Sequence, residues 1–550
     1  MKAFLSRAGA LAAAGMVLLS CVTIDEKLGA NYIETSQQFD VYTEELPLSG
    51  IRMEMADSLT GFSDSRITVG AVRDDLFGVS TRASAMTLVP AFDTLDFGKD
   101  PRLLHMHFAV AVDTLSYPDE ASKYILQNIR VYELSEPLNL NKGKTNTPVP
   151  HKGEIISDGP VVYGGGDSLS FDFSKKFAER FLKELNWKTD LDTITHYTAK
   201  FPGIYIESDA PERNGGRINS FKLSSLTYNS TYKSYILNGN RVMLKINSEY
   251  EGVRKDTSFL FLLGELQLED EASYVNASTS QKFPQYALNI TGHESESMTG
   301  LAGENIYVEG GGGLKPVIDA TELRRIAMES ISRNGDPSKA VISKASIVLP
   351  FELPESWYTL DHGYPIILSP TMRIISDDVA SFAGLSDASI STENQGGINR
   401  STLCYNPDIT HHLQKLITLG DDEDISNYDI WLLIMNKISV ENTSSSSADT
   451  DAYTQMLYYS YINSLYGGGY GGYYGGYGYG GYGGYGGYGY SNYYNYAMLA
   501  AMMSASSSSS STAVSTVLDR ECYYNAVLNG PESKSERKPL LKITYALPKE

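Results

Sequence analysis

Cysteine is scarce in this chain: 550 residues hold three, at Cys21, Cys404 and Cys522, which excludes a small fold stapled by many disulfides. Positive charge is also in deficit. Lys and Arg number 45 against 66 Asp and Glu, a net charge of −21, and no basic stripe is gathered that would neutralise a phosphate backbone, so nucleic acid is excluded as a partner. The apolar run from Ala8 to Leu19 falls short of the about 20 residues a membrane-spanning helix needs. Catalytic signatures are missing as well. There is no Gly-x-Ser-x-Gly elbow, and the run Gly310 to Gly313 followed by Leu314, Lys315 and Pro316 lacks the Gly-Lys-Ser/Thr ending of a phosphate loop and reads as a flexible turn. Carboxylates are abundant, but a glycosidase pair is defined by a spatial separation that a sequence does not contain.

What is present begins with an address. Lys2 and Arg7, the apolar run behind them and Leu18-Leu19-Ser20-Cys21 make residues 1–21 a bacterial lipoprotein signal peptide. Cys21 is then the lipid-bearing mature N-terminus, and the anchor leaves the rest of the chain free to be water-soluble. Residues 22–44 read as a tether, with the acidic pair Asp25-Glu26 just past the lipid. Such a pair is either an export signal for outward display or a plain solvated linker. The expected location is the outer membrane, facing the cell exterior.

Beyond the tether the pattern is mainly β. Strand-length apolar and β-branched runs recur from Arg66 to Val72, His105 to Val112, Ile129 to Leu134, Ile204 to Glu207, Val242 to Ile246, Ser346 to Leu349, Met372 to Ile375, Ile430 to Met435 and Leu541 to Tyr545. No regular helix separates them, which favours antiparallel sandwiches over a doubly wound fold. The chain also repeats a device. Leu169 to Phe173 leads into a short amphipathic helix after Ser174, and Cys404 to Ile409 leads into another at Thr410; each copy offers a hydroxyl cap and is followed by a buried-looking strand. Two antiparallel, jelly-roll-like β-sandwich domains with short capping helices are expected, over residues 45–270 and 290–550. The second carries a Gly/Tyr/Ser-rich insertion, residues 442–513, whose composition cannot build a packed core. Its ends must meet near one sheet edge.

Candidate chemistry is thin. Cys404 and Cys522 are either one disulfide or two buried thiols. Asp421, Asp422, Asp424 and Asp429 supply hard oxygen ligands in one loop, making calcium the cofactor these residues would suit, although a solvated acidic turn has the same composition. His105 and His107 share a strand face and could hold a metal, or could simply pack. His411 and His412, adjacent in a helical turn, point apart and read as structural. Tyr473, Tyr477, Tyr482 and Tyr485 are candidates for stacking on a ligand, within a segment that is otherwise a tolerated low-complexity expansion.

Several loose motifs in order, Lys27-Leu28-Gly29, Gly70 through Phe77-Gly78, Phe201 to Tyr205, Ile306 to Gly311 and Leu541 to Tyr545, together resemble the Bacteroidota envelope lipoproteins of the family named domain of unknown function 4270. The resemblance implies an envelope lipoprotein and supplies no catalytic residue. The expected function is non-catalytic binding or adhesion to a glycan or matrix polymer, with the membrane reached through the lipid. The alternatives are a structural subunit that joins other envelope proteins through a strand edge and, third, a glycan-degrading enzyme on a sandwich scaffold.

Overall fold

The computed structural model describes residues 38–263, 287–441 and 512–549, except 58, 64–65, 92–93, 140–142, 225, 230–233, 238, 377–378, 386, 388–394 and 421–422. The signal peptide with Cys21, most of the tether, and Asp421, Asp422, Tyr473, Tyr477, Tyr482 and Tyr485 lie outside the described residues.

Alternation along the strands becomes layers. In Arg241–Tyr250 every second residue turns inward, burying Val242, Leu244 and Ile246 completely, and the outward residues stay half-exposed, the period of a strand with one wet face. This strand pairs antiparallel with Lys99–Ser116 on one side and Val253–Leu263 on the other, and Ser168–Asp172 lies beyond Lys99–Ser116. Helix Lys175–Glu184 packs on Lys99–Ser116. Its first turn is capped by Ser174, which accepts the Phe177 N–H, and it buries Phe177, Ala178 and Phe181. The same arrangement recurs in the other half. Leu540–Pro548 lies between Val341–Pro350 and Phe39–Pro47, and Cys404–Tyr405 lies beyond Val341–Pro350. Helix Thr410–Thr418 packs there through buried Leu413, Leu416 and Ile417. Two large hydrophobic clusters result, one per half. The chain is mainly β, built of antiparallel sheets in a sandwich-type fold with few helices.

Three details differ from the sequence reading. The cap of the second helix is not the Thr410 hydroxyl, which instead accepts the Ala345 N–H from the neighbouring strand; Asp408 and Asp387 accept the N–H groups of Thr410, His411 and His412. The boundaries at 45 and 290 do not follow the pairing. Phe39–Pro47 and Ile51–Met55 pair with Leu540–Pro548 and Leu314–Ile318 and contribute Leu46, Leu48, Ile51 and Met53 to the second core, whereas Ala287–His293 pairs with Gly78–Met86 in the first half. The chain thus starts in the second unit, builds the first and returns. Finally, Thr512–Leu518 is already a strand, and Glu441 sits opposite Thr512, so the two residues that flank positions 442–511 meet on paired strands.

Candidate functional site

Among the described residues, those singled out in the sequence do not assemble a metal centre. His107 Nδ1 lies 2.8 Å from Asp172 of the adjacent strand, and His105 sits opposite Lys245. Asp424 accepts the Ser426 N–H at 3.1 Å and its hydroxyl at 2.7 Å, whereas Asp429 accepts from Arg52 at 2.7 Å and from the Ala320 N–H at 2.8 Å. Each carboxylate is spent on its own partner rather than turned to a shared centre. Among the described residues no group of three or more His, Cys, Asp and Glu is placed to hold a metal. Cys404 and Cys522 are both free thiols, correcting the disulfide alternative: Cys404 belongs to the strand paired with Val341–Pro350 and touches the Thr402 hydroxyl, and Cys522 is held in the turn after Thr512–Leu518, where Asp519 accepts its N–H. Burial keeps the Cys522 thiol protonated. His412 is structural, as expected: burial lowers it to about 4, and Nε2 donates to the Tyr428 carbonyl.

The sequence concealed a charged seam between the two units. Ser80, Arg82 and Ser84 alternate along one strand opposite His293, Thr291 and Asn289 on its neighbour. Six polar side chains at period two look like a solvated face, yet all are buried: the glycine turn of the second unit and its Glu309 close on Ser80, Arg82, Thr291 and His293, whereas Ser84 and Asn289 bond Thr68 of their own unit. That turn is tight rather than flexible. Gly311 has φ of +59°, and a Cβ there would come within 2.8 Å of Arg82 Nη2, so glycine is what lets the backbone close on the guanidinium. Lys315, wholly buried, spends its ammonium hydrogens on the carbonyls of Glu309, Gly311 and Gly313 at 2.5, 3.0 and 3.0 Å. Burial drives Lys315 down to about 7 and Arg82 down to about 10.

Between them Glu309 accepts from the Ser295 hydroxyl and from the Leu314 N–H at 3.2 Å, and His293 Nδ1 lies 3.3 Å from its Oε1. Burial, with Arg82 and Lys315 nearby, lowers His293; burial alone would raise Glu309, but its hydrogen bonds outweigh that and hold it below the ordinary carboxylate range. The grouping of Ser80, His293 and Glu309 is not a nucleophile relay. Serine and carboxylate meet the same nitrogen, Nδ1, and His293 Nε2 has no hydrogen-bond partner, whereas a relay needs the two on opposite nitrogens.

On the surface, an aromatic shelf crosses the same division. The short helix Trp357–Gly363 is capped by Ser356, which accepts the Thr359 N–H at 3.0 Å, and is pinned by buried Leu360. It presents Tyr358 to Tyr117, which follows the Lys99–Ser116 strand of the other unit: the rings stack at 5.5 Å and 19°, and the Tyr358 hydroxyl donates to the Tyr117 carbonyl. His362 lies 4.2 Å from Tyr358. Trp357, the residue before Tyr358 on this helix, is 65% exposed, with Leu353 and Ile366 also exposed in the same segment. An indole left open to solvent offers a face able to take a flat apolar ligand. The signal available in the sequence was the Trp357-Tyr358 doublet in a polar, Pro-containing stretch too short for a strand. Comparison with family models, with curated proteins and with solved structures returns no match for this chain.

Proposed function

We propose that this is a lipid-anchored outer-membrane protein, turned toward the cell exterior, that binds a glycan or matrix polymer without transforming it. The observation that carries the binding is Trp357, an indole left open on the short helix whose Tyr358 is stacked on Tyr117. Sugar rings present C–H faces to aromatic surfaces, and a rigid two-ring stack offers that face at little entropic cost. The lipoprotein signal ending at Cys21 and the resemblance to the domain of unknown function 4270 lipoproteins support the address. The test has two parts. Protease treatment of intact cells, followed by immunoblot against a periplasmic control, removes this protein and spares the control; survival until the outer membrane is opened contradicts surface display. The purified mature chain is retarded in gels cast with polysaccharide and releases no reducing ends from it, and steady release of sugar would overturn the non-catalytic reading. A second reading, assembly with other envelope proteins, is favoured by the edge strand Phe39–Pro47, whose Phe39 and Val41 are exposed; stoichiometric co-purification of a partner would support it.

A further inference from the structure

Resting on the lipid-anchored reading, we infer that the outer face of the second unit's sheet lies on the bilayer surface, docked through Phe39, Val41 and Val341 at the end where the chain arrives from Cys21. Register separates the two faces of Phe39–Pro47. Tyr42 stacks on Tyr545 at 5.4 Å and 24°, on the side of the core where Leu46 is buried, whereas Thr43 Oγ1 meets Thr544 Oγ1 at 3.1 Å on the exposed side. Period two places Val41 with its partner Ala546, and Phe39 with its partner Pro548, on that exposed side. Val341, opposite Ala546 on its other flank, extends the row. Phe39, Val41 and Val341 are 51, 66 and 52% exposed.

The face is graded along its length. Further along the same pair of strands Glu45 and Lys542 hold an ion pair at 2.7 Å, so the apolar side chains are gathered at one end, and gathering distinguishes a contact surface from the single exposed residues any protein carries. Lipid is favoured as the occupant by where the chain goes. Phe39 opens its strand, and the 17 residues 22–38 separate it from Cys21, a stretch that spans at most about 65 Å. The apolar end is therefore the end tied to the bilayer, and the tie raises the local concentration of lipid above that of a free partner. Asp40 is paired with Lys549 at 3.4 Å, which leaves Lys344, exposed opposite Thr544, to meet headgroup phosphate while the apolar side chains enter the interface.

The test uses the full lipidated chain carrying Phe39→Trp as a reporter, reconstituted in phosphatidylcholine vesicles with and without bromine on the acyl chains, which quenches an indole in contact with it. Mass spectrometry of the same sample reads the lipid on Cys21. The expected result is that brominated lipid removes most of the emission that Phe39→Trp adds to the unaltered chain, and that Val41→Glu/Val341→Glu, introduced beside the reporter at exposed positions and with a matched circular dichroism spectrum, restores it. A lipidated chain whose added emission bromine leaves intact overturns the docking and leaves the anchor standing; if that emission shifts to the red as the protein-to-lipid ratio is lowered, a second copy covers the face instead. Quenching that survives Val41→Glu/Val341→Glu also overturns the docking, since the tether alone then holds the reporter against lipid. A Cys21 without lipid overturns the anchored reading and the docking with it.

Discussion

The two units close the same sheet in different ways. In the first, Arg241–Tyr250 meets its outer neighbour Val253–Leu263 across a two-residue turn, with Glu251 at φ 53° and Gly252 at φ 81°, the left-handed pair that a tight hairpin requires. In the second, Leu540–Pro548 meets Phe39–Pro47, nine residues in register from the opposite end of the chain. The geometry is shared while the connectivity is not. A hairpin forms its contacts locally, whereas a strand borrowed from the far terminus pairs only after the chain between has been ordered. The consequence is that the second core is closed by Phe39–Pro47, the strand that follows the expected tether, so the end of the chain proposed to carry the lipid would also supply the last strand of that sheet.

The sharpest way to break this comparison is to remove residues 38–47. The deletion takes Leu46 from the second core and reopens the edge of Leu540–Pro548; the second unit is expected to lose more than about 4 kcal/mol. Hydrogen exchange followed by mass spectrometry should show protection lost from Val341–Pro350 and Leu540–Pro548 and kept in Lys99–Ser116. Uniform loss across both units would show that they fold as one.

Glu309→Gln tests the seam. It leaves Lys315 and Arg82 buried without their nearest carboxylate and should cost about 3–5 kcal/mol, read as a lowered urea midpoint with an unchanged slope.

Acid gives the next effect. His412 is lowered to about 4 and His293 is lowered too, so the unfolded chain takes up protons near pH 6.5 where the folded chain does not. Stability is therefore fully present above about pH 6.5 and is lost as pH falls toward 4, by about 3 kcal/mol from His412 if its whole shift is expressed. His412→Gln should flatten that decline. Lys315 acts at the other end: lowered to about 7, it makes stability rise from pH 7 toward 10, and Lys315→Met should remove the rise. The smallest effect belongs to the shelf, where Trp357→Ala at an exposed position should move stability by less than about 0.5 kcal/mol while abolishing polymer retardation.

Much of the scaffold was legible because strand alternation and helix amphipathicity are local. Val242, Leu244 and Ile246 announced their buried face by spacing alone, as did Phe177 and Phe181 on the first capping helix. What depended on docking was hidden. Ser80 and Arg82 have the period of a wet face and are dry because Glu309 and Gly311 of the other unit close on them. The glycine run read as a flexible turn for the same reason, since nothing local shows that a guanidinium and an ammonium close beneath it. The shelf escaped because its rings come from Tyr117 and Tyr358, separated along the chain and joined only across the units. The loop carboxylates misled in the other direction: Asp424 and Asp429 are near in sequence, but each is drawn to a different donor.

The central claim is that both units together build one polymer-binding shelf. Its most direct test is the migration of the unaltered mature chain, Trp357→Ala and Tyr117→Ala through a neutral glucan gel, with matched circular dichroism spectra confirming the fold. Retardation of the unaltered chain and its loss in both variants is the predicted result. A Tyr117→Ala protein retarded as strongly as the unaltered chain would contradict a shelf shared across the seam, and an unaltered chain that the glucan does not slow would contradict the shelf itself.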